Sequence, residues 1–498
     1  MRRVPCAILA LMIGLVGIYM TTACIAAVTP AKVPEITDID IAYAVKAELL
    51  ADEAVSAHLI DVQAKKGVVT LSGSVDNLVS KERATIIAES IKGVRSVVNL
   101  IEVRPVERGD EEILKDVVKA LALDPAADAY ELKVEVDGGK VTISGTVDSW
   151  QERHLAVLIA KGVKGIREVK DEITVEYKED RPSQEIMKDV RRRLSLDPYI
   201  DDEGIEVMVR GGTVTLSGTV GNAAQRRYAY YDARVTGVSD VDTTGLRVET
   251  GPFERSMKKR KYVVKSDQEI QQAIRDAFVY DPRVWAFEID TKVNKGVVTL
   301  TGVVDNLKAK RAAGRDAGNT NGVVEVNNHI KVRPVNPPSD EELQKHVRDA
   351  LERDPFIDRH DINVVVLNEK VHLYGSVDNQ YEKLRAESLG SRIIGVAEVK
   401  NLLSVHYTWP RKSDREIKED IEGQFFWSLY VDGDDFSLGV EDGVVTLSGI
   451  VDSMLEMHAA IENAFEGGAK AVRSRIHVKE APYYYPEYYT YGDRFISN

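Results

Sequence analysis

The chain has almost no cysteine. Its 498 residues contain two, Cys6 and Cys24, and both lie close to the N-terminus. The remainder therefore cannot form a disulfide, and it lacks the cysteine pairs typical of zinc and redox sites. The nine histidines are scattered and form none of the short metal-binding or hydrolase motifs. We expect a non-enzymatic protein with no catalytic residues, no cofactor and no metal.

Basic residues are fewer than acidic ones. Lys and Arg number 66 against 80 Asp and Glu, which gives a net charge of −14 and a pI of about 5.3. A nucleic-acid-binding protein normally carries a basic face over the whole domain. We therefore expect no nucleic-acid partner.

Long hydrophobic runs are missing after the N-terminal segment. There, Arg2 and Arg3 precede an apolar run over residues 7–20, and the small residues "TTACIAAV" follow. This is the order of an export signal, and the run is too short to favour a permanent transmembrane helix. We predict a signal at residues 1–27 and an exported chain located in the periplasm.

The letters "TTAC" resemble a bacterial lipobox, whose cysteine becomes the lipidated first residue of the mature protein. Cys24 is the predicted lipidation site, which would anchor the chain to the outer membrane. Thr21 stands where a lipobox usually has leucine. Ordinary cleavage after Ala26 or Ala27, which leaves no cysteine, is the alternative.

The chain does contain a repeated strand pattern. Near-copies of "GVVTLSG" occur six times, at steps of 72 to 84 residues, and their final glycines are Gly73, Gly145, Gly218, Gly302, Gly375 and Gly449. Apolar residues at every second position, as in Val69, Leu71 and Val75, predict a strand buried on one face. Each is preceded by a second alternating segment and a glycine-containing turn, which predicts a hairpin.

Helices are predicted on both sides of each hairpin. Ser266, Ser339 and Ser413 each precede a glutamate by three residues, which is a capping box at the start of the first helix. Asp-Pro pairs predict its end in four copies. The second helix is predicted to begin at an aspartate such as Asp76, and a third strand follows it.

Small residues recur on the second helix. Alanine stands eleven residues after the glycine in all six copies, and an alanine or glycine stands fifteen after it. Residues four apart share a helix face. We infer that this face packs tightly on the sheet and that the six glycines are structural, leaving room for the helix.

This α-β-β-α-β order, the V-x-L-x-G-x-V strand, the alanine helix and the closing "GV…V" strand resemble the BON (bacterial OsmY and nodulation) domain. The resemblance implies an α+β fold of six tandem small domains, each a three-stranded sheet packed by two helices. It also implies an envelope protein linked to osmotic or envelope stress, with a proposed phospholipid-binding role and no catalytic residues. The predicted domains span residues 36–105, 108–177, 181–249, 265–334, 338–407 and 412–480.

Basic residues are concentrated around the centre of the chain. The linker over residues 251–264 separates the third and fourth domains, and helices beside it add further charges. We predict an anionic phospholipid or membrane surface as partner. The contact candidates are Arg226, Arg227, Lys258, Lys259, Arg260, Lys261, Lys308, Lys310 and Arg311. A solvated linker is the alternative.

Other functions and arrangements remain open from the sequence. The protein could instead be a periplasmic chaperone-like protein or an assembly scaffold that binds other envelope proteins. Its proline-bearing joints favour an extended array of domains. The tyrosine-rich tail over residues 481–498 is either an interaction segment or a disordered end.

Lipidation predicts a direct chemical outcome. In a bacterial host fed a palmitate analogue, the wild-type chain should be labelled and Cys24→Ala should not. A wild type without label, or a mature N-terminus at Val28, would refute the lipidation hypothesis.

Overall fold

The structure is a computed structural model that describes residues 36–124, 132–177, 181–197, 199–249, 266–281, 283–284, 288–357, 362–406, 412–479 and 489–491. Cys24, the linker over 251–264 and most of the tail lie outside these ranges. One compact unit extends from Thr37 to Asn498. No helix within the described ranges is long and apolar enough to cross a membrane.

Two helices occur in each of six consecutive domains, as predicted. Within the described residues they are α1 (Asp38–Ala51), α2 (Leu78–Glu89), α3 (Asp110–Ala122), α4 (Trp150–Lys161), α5 (Ser183–Leu196), α6 (Ala223–Asp232), α7 (Asp267–Tyr280), α8 (Leu307–Gly318), α9 (Asp340–Arg353), α10 (Gln380–Ser391), α11 (Asp414–Trp427) and α12 (Met454–Glu466). The odd-numbered helices precede the hairpins and the even-numbered helices follow them. We call these the first and second helices of a domain.

Each domain has its own small sheet. The strands are β1 (Ile60–Lys65), β2 (Val68–Val75), β3 (Ser96–Asn99), β4 (Glu102–Val103), β5 (Leu132–Asp137), β6 (Lys140–Val147), β7 (Glu168–Val175), β8 (Ile205–Arg210), β9 (Thr213–Val220), β10 (Asp240–Val248), β11 (Ile289–Asn294), β12 (Val297–Val304), β13 (Glu325–Asn328), β14 (Lys331–Val332), β15 (Ile362–Leu367), β16 (Lys370–Val377), β17 (Glu398–Val405), β18 (Phe436–Glu441), β19 (Val444–Val451), β20 (Ala471–Val478) and β21 (Tyr489–Tyr491).

The glycine strand lies at the centre of every sheet. It pairs antiparallel with the strand before it, as β1 does with β2, and parallel with the strand after the second helix, as β6 does with β7. In the first and fourth domains the third strand is broken into two short segments, β3 and β4 or β13 and β14. In the tail, β21 adds antiparallel to β20. The predicted α+β fold of six three-stranded domains is confirmed.

The first helices begin at the predicted caps, and the second helices do not. Ser266, Ser339 and Ser413 form the predicted capping boxes with the glutamates three residues later. The second helices begin one residue later than predicted, since their cap is Asn77 in the first domain, and its side-chain oxygen accepts a hydrogen bond from the Ser80 N–H. Asparagine and serine satisfy the open amides of a first turn as well as aspartate does.

An aspartate in the first turn of the first helix fastens the hairpin, a role that the sequence analysis missed. In the first domain the Asp38 carboxylate accepts hydrogen bonds from the backbone N–H groups of Lys66 (2.7 Å) and Gly67 (2.9 Å). These bonds hold the pKa of Asp38 below its usual value. Four further domains repeat the arrangement with Asp110, Asp267, Asp340 and Asp414.

The core of each domain lies between the sheet and its two helices. Val69 and Leu71 of β2 are fully buried, and so are Ala84 and Ala88 of α2. The alanine face of the second helix therefore packs on the sheet, as inferred from its spacing. Small residues allow the helix and the sheet to approach closely.

Glycine is required in these strands for a different reason from the one inferred from the sequence. Gly218 has a φ of +117°, and a Cβ placed on it would lie 2.1 Å from the carbonyl oxygen of Gly204, just before β8. In the first domain the corresponding oxygen of Leu59 lies 2.0 Å from the Cβ position of Gly73. A side chain is thus excluded by the backbone carbonyl oxygen of the residue just before the adjacent strand, and not by the second helix.

The six domains pack against one another, so the expectation of an extended array is wrong. The backbone N–H of the residue nineteen positions after a strand glycine donates to a carbonyl at the end of another domain's first helix. The bonds are Lys92 to Trp427 (3.1 Å), Lys164 to Arg353 (2.7 Å), Asn321 to Leu196 (3.4 Å) and Ile394 to Leu123 (3.4 Å). They join domain 1 to domain 6, domain 2 to domain 5 in both directions, and domain 4 to domain 3.

Second helices join the first three domains to one another. Glu82 of α2 pairs with Lys161 of α4, and Glu89 of α2 pairs with Arg227 of α6 at 2.6 Å. The Gln151 side chain of α4 donates to the Arg234 carbonyl after α6 at 2.7 Å. The first three domains therefore form a closed ring of contacts, which the proline-bearing joints alone did not predict.

The carbonyl contact predicts the effect of adding one methyl group. Gly218→Ala should lower the local free energy of unfolding of the third domain by about 1–3 kcal/mol, because it combines a strained φ with a backbone clash. Hydrogen exchange of the amides in residues 205–220 measures this, since a six-domain chain need not unfold in one step.

Gly439→Ala is the matched control. Gly439 lies in β18, and an added Cβ meets no atom within 4 Å. This change should be neutral or stabilise by up to about 1 kcal/mol. Hydrogen exchange of residues 436–451 measures the control. If Gly218→Ala loses no more protection in residues 205–220 than Gly439→Ala loses in residues 436–451, the carbonyl explanation is contradicted.

Candidate functional site

A cavity of about 630 Å³ lies where the domains meet. Residues from all six domains line it, mainly from the second helices and from the ends of the first helices. The alanine face of each second helix is on the sheet, so the opposite face of that helix is available to the cavity and to neighbouring domains. No single repeat could form this cavity, because residues of all six domains line it.

Buried ion pairs surround the cavity. The aspartates at the ends of several first helices pair with cations of second helices. Lys308 of α8 donates to both carboxylate oxygens of Asp124 at 2.5 Å. Both side chains are buried, and they join the fourth domain to the second. Within domains, Arg83 pairs with Asp52 at 2.5 Å and Arg385 pairs with Asp354 at 2.7 Å. The aspartates that end the helices therefore also hold the cations of the second helices.

One side of the cavity is acidic. Glu48 and Asp52 come from the first domain, Glu462 and Glu466 come from α12, and Arg83 lies 3.7 Å from Glu466. Burial, followed by the charge of Asp52, raises the pKa of Glu48 to about 7. Burial and the neighbouring Glu462 raise the pKa of Glu466 well above its ordinary value. These carboxyl groups hold protons more tightly than exposed ones.

The other side is basic. Arg283 and Arg315 come from the fourth domain, Arg392 stands at the end of α10, and all three line the cavity. Burial, followed by the charges of Arg283 and Arg392, lowers the pKa of Arg315 to about 10. Burial and Arg385 lower the pKa of Arg392 as well. The cavity thus has a positive and a negative end.

The predicted lipid contacts fall in three different environments. Lys258, Lys259, Arg260 and Lys261 lie outside the described residues, as does the predicted lipidation site, Cys24. Arg227, Lys308 and Arg311 lie at domain contacts and pair with Glu89, Asp124 and Glu387. Arg226 and Lys310 are half-buried. The five candidates within the described ranges therefore do not form one exposed basic surface.

An apolar stripe on α1 was missed by the sequence analysis. Ile39, Tyr43 and Leu50 are 81%, 76% and 58% exposed. They follow one side of the helix, while Ile41 and Val45 on the other side are buried. A comparison of the six repeats could have found the stripe, because the positions of Ile39 and Tyr43 are polar in the other five first helices: Glu111 and Lys115, Gln184 and Lys188, Gln268 and Gln272, Glu341 and Lys345, and Arg415 and Glu419.

The described residues were also compared with the side-chain groups that hold metal ions. The described residues contain no group of three or more His, Cys, Asp or Glu side chains that could hold a metal ion. The charged side chains around the cavity are divided between the acidic side and the basic side.

The stability of the folded chain is predicted to depend on pH through Glu48, which lines the cavity. Its pKa is about 7 in the folded chain against 4.5 for an ordinary glutamate. The folded chain therefore retains a proton that the unfolded chain releases, and stability is lost as the pH rises from 4.5 to 7. Glu48→Gln should stabilise the chain at pH 8 by about 1–3 kcal/mol and change little at pH 4.5.

Thermal unfolding at both pH values measures this difference. Glu111→Gln on the exposed face of α3 is the control and should change neither value. A Glu48→Gln chain that keeps the wild-type pH dependence would show that this carboxyl is not the group responsible.

Comparison with known proteins agrees with the architecture. The BON domain matches residues 37–105, 109–177, 183–250, 266–334, 339–407 and 413–480. The osmotically-inducible protein Y of Escherichia coli K12 is 33% identical over 143 residues, which cover 27% of this chain and 71% of that protein.

Two solved structures of CdsD, a structural protein of the type III secretion system of Chlamydia trachomatis, are 14% identical. They cover 45% and 46% of this chain and 94% and 100% of their own chains, with TM-scores of 0.13 and 0.12. These scores are too low to bear on the arrangement of domains. The six matched segments include nearly all of the described residues, and the chain belongs to the BON domain family.

Proposed function

We propose that this chain is an exported, non-enzymatic protein of the bacterial envelope that acts under osmotic stress and binds a phospholipid surface through its first domain. Its relationship to an osmotically inducible protein supports the connection to stress. The export signal predicted over residues 1–27 supports a periplasmic location. The observation that carries the lipid proposal is the apolar stripe of α1.

The stripe has the chemistry of an interfacial helix. Fully burying an aliphatic or aromatic side chain stabilises by about 1.5–3 kcal/mol, and Ile39, Tyr43 and Leu50 are all more than half exposed. Tyrosine suits a membrane interface, because its ring is apolar and its hydroxyl remains in water. Asp38 and Asp40 flank the stripe at the start of the helix, so the stripe contributes through apolar burial and not through charge.

The stripe lies close in sequence to the predicted lipid anchor. Asp38 lies fourteen positions after Cys24, and a chain of that length spans at most about 50 Å. An anchored domain would therefore stay within reach of the membrane, and its effective concentration there would be high. A second contact between this domain and the surface would add to the attachment.

The basic linker supplies the electrostatic part of the proposal. Lys258, Lys259, Arg260 and Lys261 are adjacent in sequence, and each cation near an anionic surface contributes about 1 kcal/mol. This contribution is screened by salt, whereas burial of the stripe is not. The two contributions can therefore be measured separately.

Vesicle binding tests the proposal. The mature chain with Cys24→Ser should co-sediment with anionic vesicles, and Ile39→Glu combined with Tyr43→Lys should weaken binding at least about tenfold at low and high salt. This pair reproduces the residues of α9, preserves the net charge and adds a favourable Glu–Lys pair to the helix. Changing the four linker residues to Gln should weaken binding mainly at low salt.

Leu402→Thr on β17 is the control, because this exposed leucine lies on the open face of another sheet. It should bind as the parent does. If the α1 variant binds vesicles normally but no longer prevents an unfolded protein from aggregating, the stripe belongs to a chaperone-like function and the lipid proposal is wrong.

A further inference from the structure

The third strand forms one outer edge of each small sheet, and most of these edges are protected. In the first and fourth domains the third strand is broken into two short segments. In the third domain the register of β10 shifts between Asp242 and Gly245, as it does at a bulge. In the sixth domain β21 pairs with the outer side of β20. Short strands, bulges and covering segments are the features that keep a sheet edge from pairing with another chain.

The third strands of the second and fifth domains are unbroken. Each pairs with its central strand over eight consecutive positions. Half of the residues of β7 are charged, namely Glu168, Lys170, Asp171 and Glu172. In β17 only Glu398 and Lys400 are charged, and the last five residues of the strand are uncharged. No described segment pairs with the outer side of β17. Charges also discourage edge pairing, so β17 is the least protected of the third strands that the structure describes.

Exposed apolar side chains lie beside this edge. Leu402 of β17 is 55% exposed, and its neighbour in register on β16 is Tyr374, which is 41% exposed. Leu367 of β15 is also exposed on the open face of this sheet. The equivalent positions of the second domain hold Glu172, Ser144 and Asp137. The fold of the domain therefore does not require apolar side chains at these positions.

The sixth domain shows what such an edge accepts. Its third strand, β20, pairs parallel with the central strand over eight positions, as β17 does in the fifth domain. On its outer side, β20 pairs antiparallel with β21 of the tail. The domain fold therefore leaves room for an antiparallel fourth strand beside the third.

The sequence of β17 is complementary to itself in the antiparallel register centred on Leu402. Side chains that are directly opposite in an antiparallel pair interact, and opposed like charges destabilise it. In this register Leu402 faces Leu402 of a second copy, and Val399 faces Val405. Lys400 faces Ser404, so no two like charges are opposed. A second copy of the chain is therefore a suitable partner for this edge.

We propose that two copies of this chain pair through the outer edges of their β17 strands. The two sheets then form one sheet of six strands, related by a two-fold axis beside Leu402. Tyr374 and Leu402 of both copies form one apolar strip across the axis. Each copy contributes a single strand of eight residues, so the contact is small, the dimer is weak and the dilute chain is a monomer. This edge is independent of the apolar stripe of α1, which belongs to the first domain.

Sedimentation velocity of the mature chain with Cys24→Ser tests the proposal. The mass should rise from that of a monomer towards that of a dimer over about a hundredfold increase in concentration. Leu402→Lys should remain a monomer throughout, because it opposes two cations at the two-fold axis. Leu402→Glu should remain a monomer for the same reason. A mixture of the Leu402→Lys and Leu402→Glu chains should form a dimer again, because the opposed charges then attract each other.

Leu367→Lys is the control, since it replaces an exposed leucine on β15, at the other edge of the same sheet. It should dimerise as the parent does. A parent that is monomeric at every concentration, or a Leu402→Lys chain that dimerises like the parent, would overturn the proposal. A chain without residues 481–498 should also dimerise. Loss of the dimer in that chain would assign the contact to the tail of the second copy, and pairing between two β17 strands would be wrong.

Discussion

The arrangement depends on the two-sided burial of the second helix in each domain. Its alanine face packs on the sheet, where Ala84 and Ala88 are fully buried in the first domain. The opposite face carries residues such as Lys308 of α8, which is buried and lines the central cavity. A domain of about 70 residues has a small core and limited stability of its own. Packing the second face against neighbours extends that core, and residues of all six domains line a common cavity.

Charge differences between repeats explain which domains pack against one another. Similar domains could pair in many combinations, but equivalent positions carry different charges, so some pairings are attractive and others are not. Lys308 of the fourth domain meets Asp124 of the second, and Arg227 of the third meets Glu89 of the first. Buried ion pairs contribute little net stability, although breaking one is costly. We infer that these pairs specify which domains meet, while apolar contacts provide most of the stability.

Periodic features of one domain were predictable from the sequence, and contacts between domains were not. Alternation around Val69 and Leu71 gave the buried strand, and serine–glutamate spacing gave the capping boxes. Asn77 was missed as a cap because the aspartate before it has the same cap preference. Lys308 and Asp124 are 184 residues apart, and no local pattern connects them. The cavity arises from such pairs, so the sequence analysis interpreted Lys308 as a surface charge when it is buried.

Small-angle X-ray scattering tests most directly whether the domains form one compact unit. A compact chain of about 460 residues has a radius of gyration of about 23 Å, and a central cavity increases this value slightly. Six separate domains in an extended row would give about 40 Å or more, since each domain alone is almost 30 Å across. The packing described above predicts a value between about 23 and 27 Å that does not change with salt. A value near 40 Å in solution would contradict the cavity and the contacts that form it.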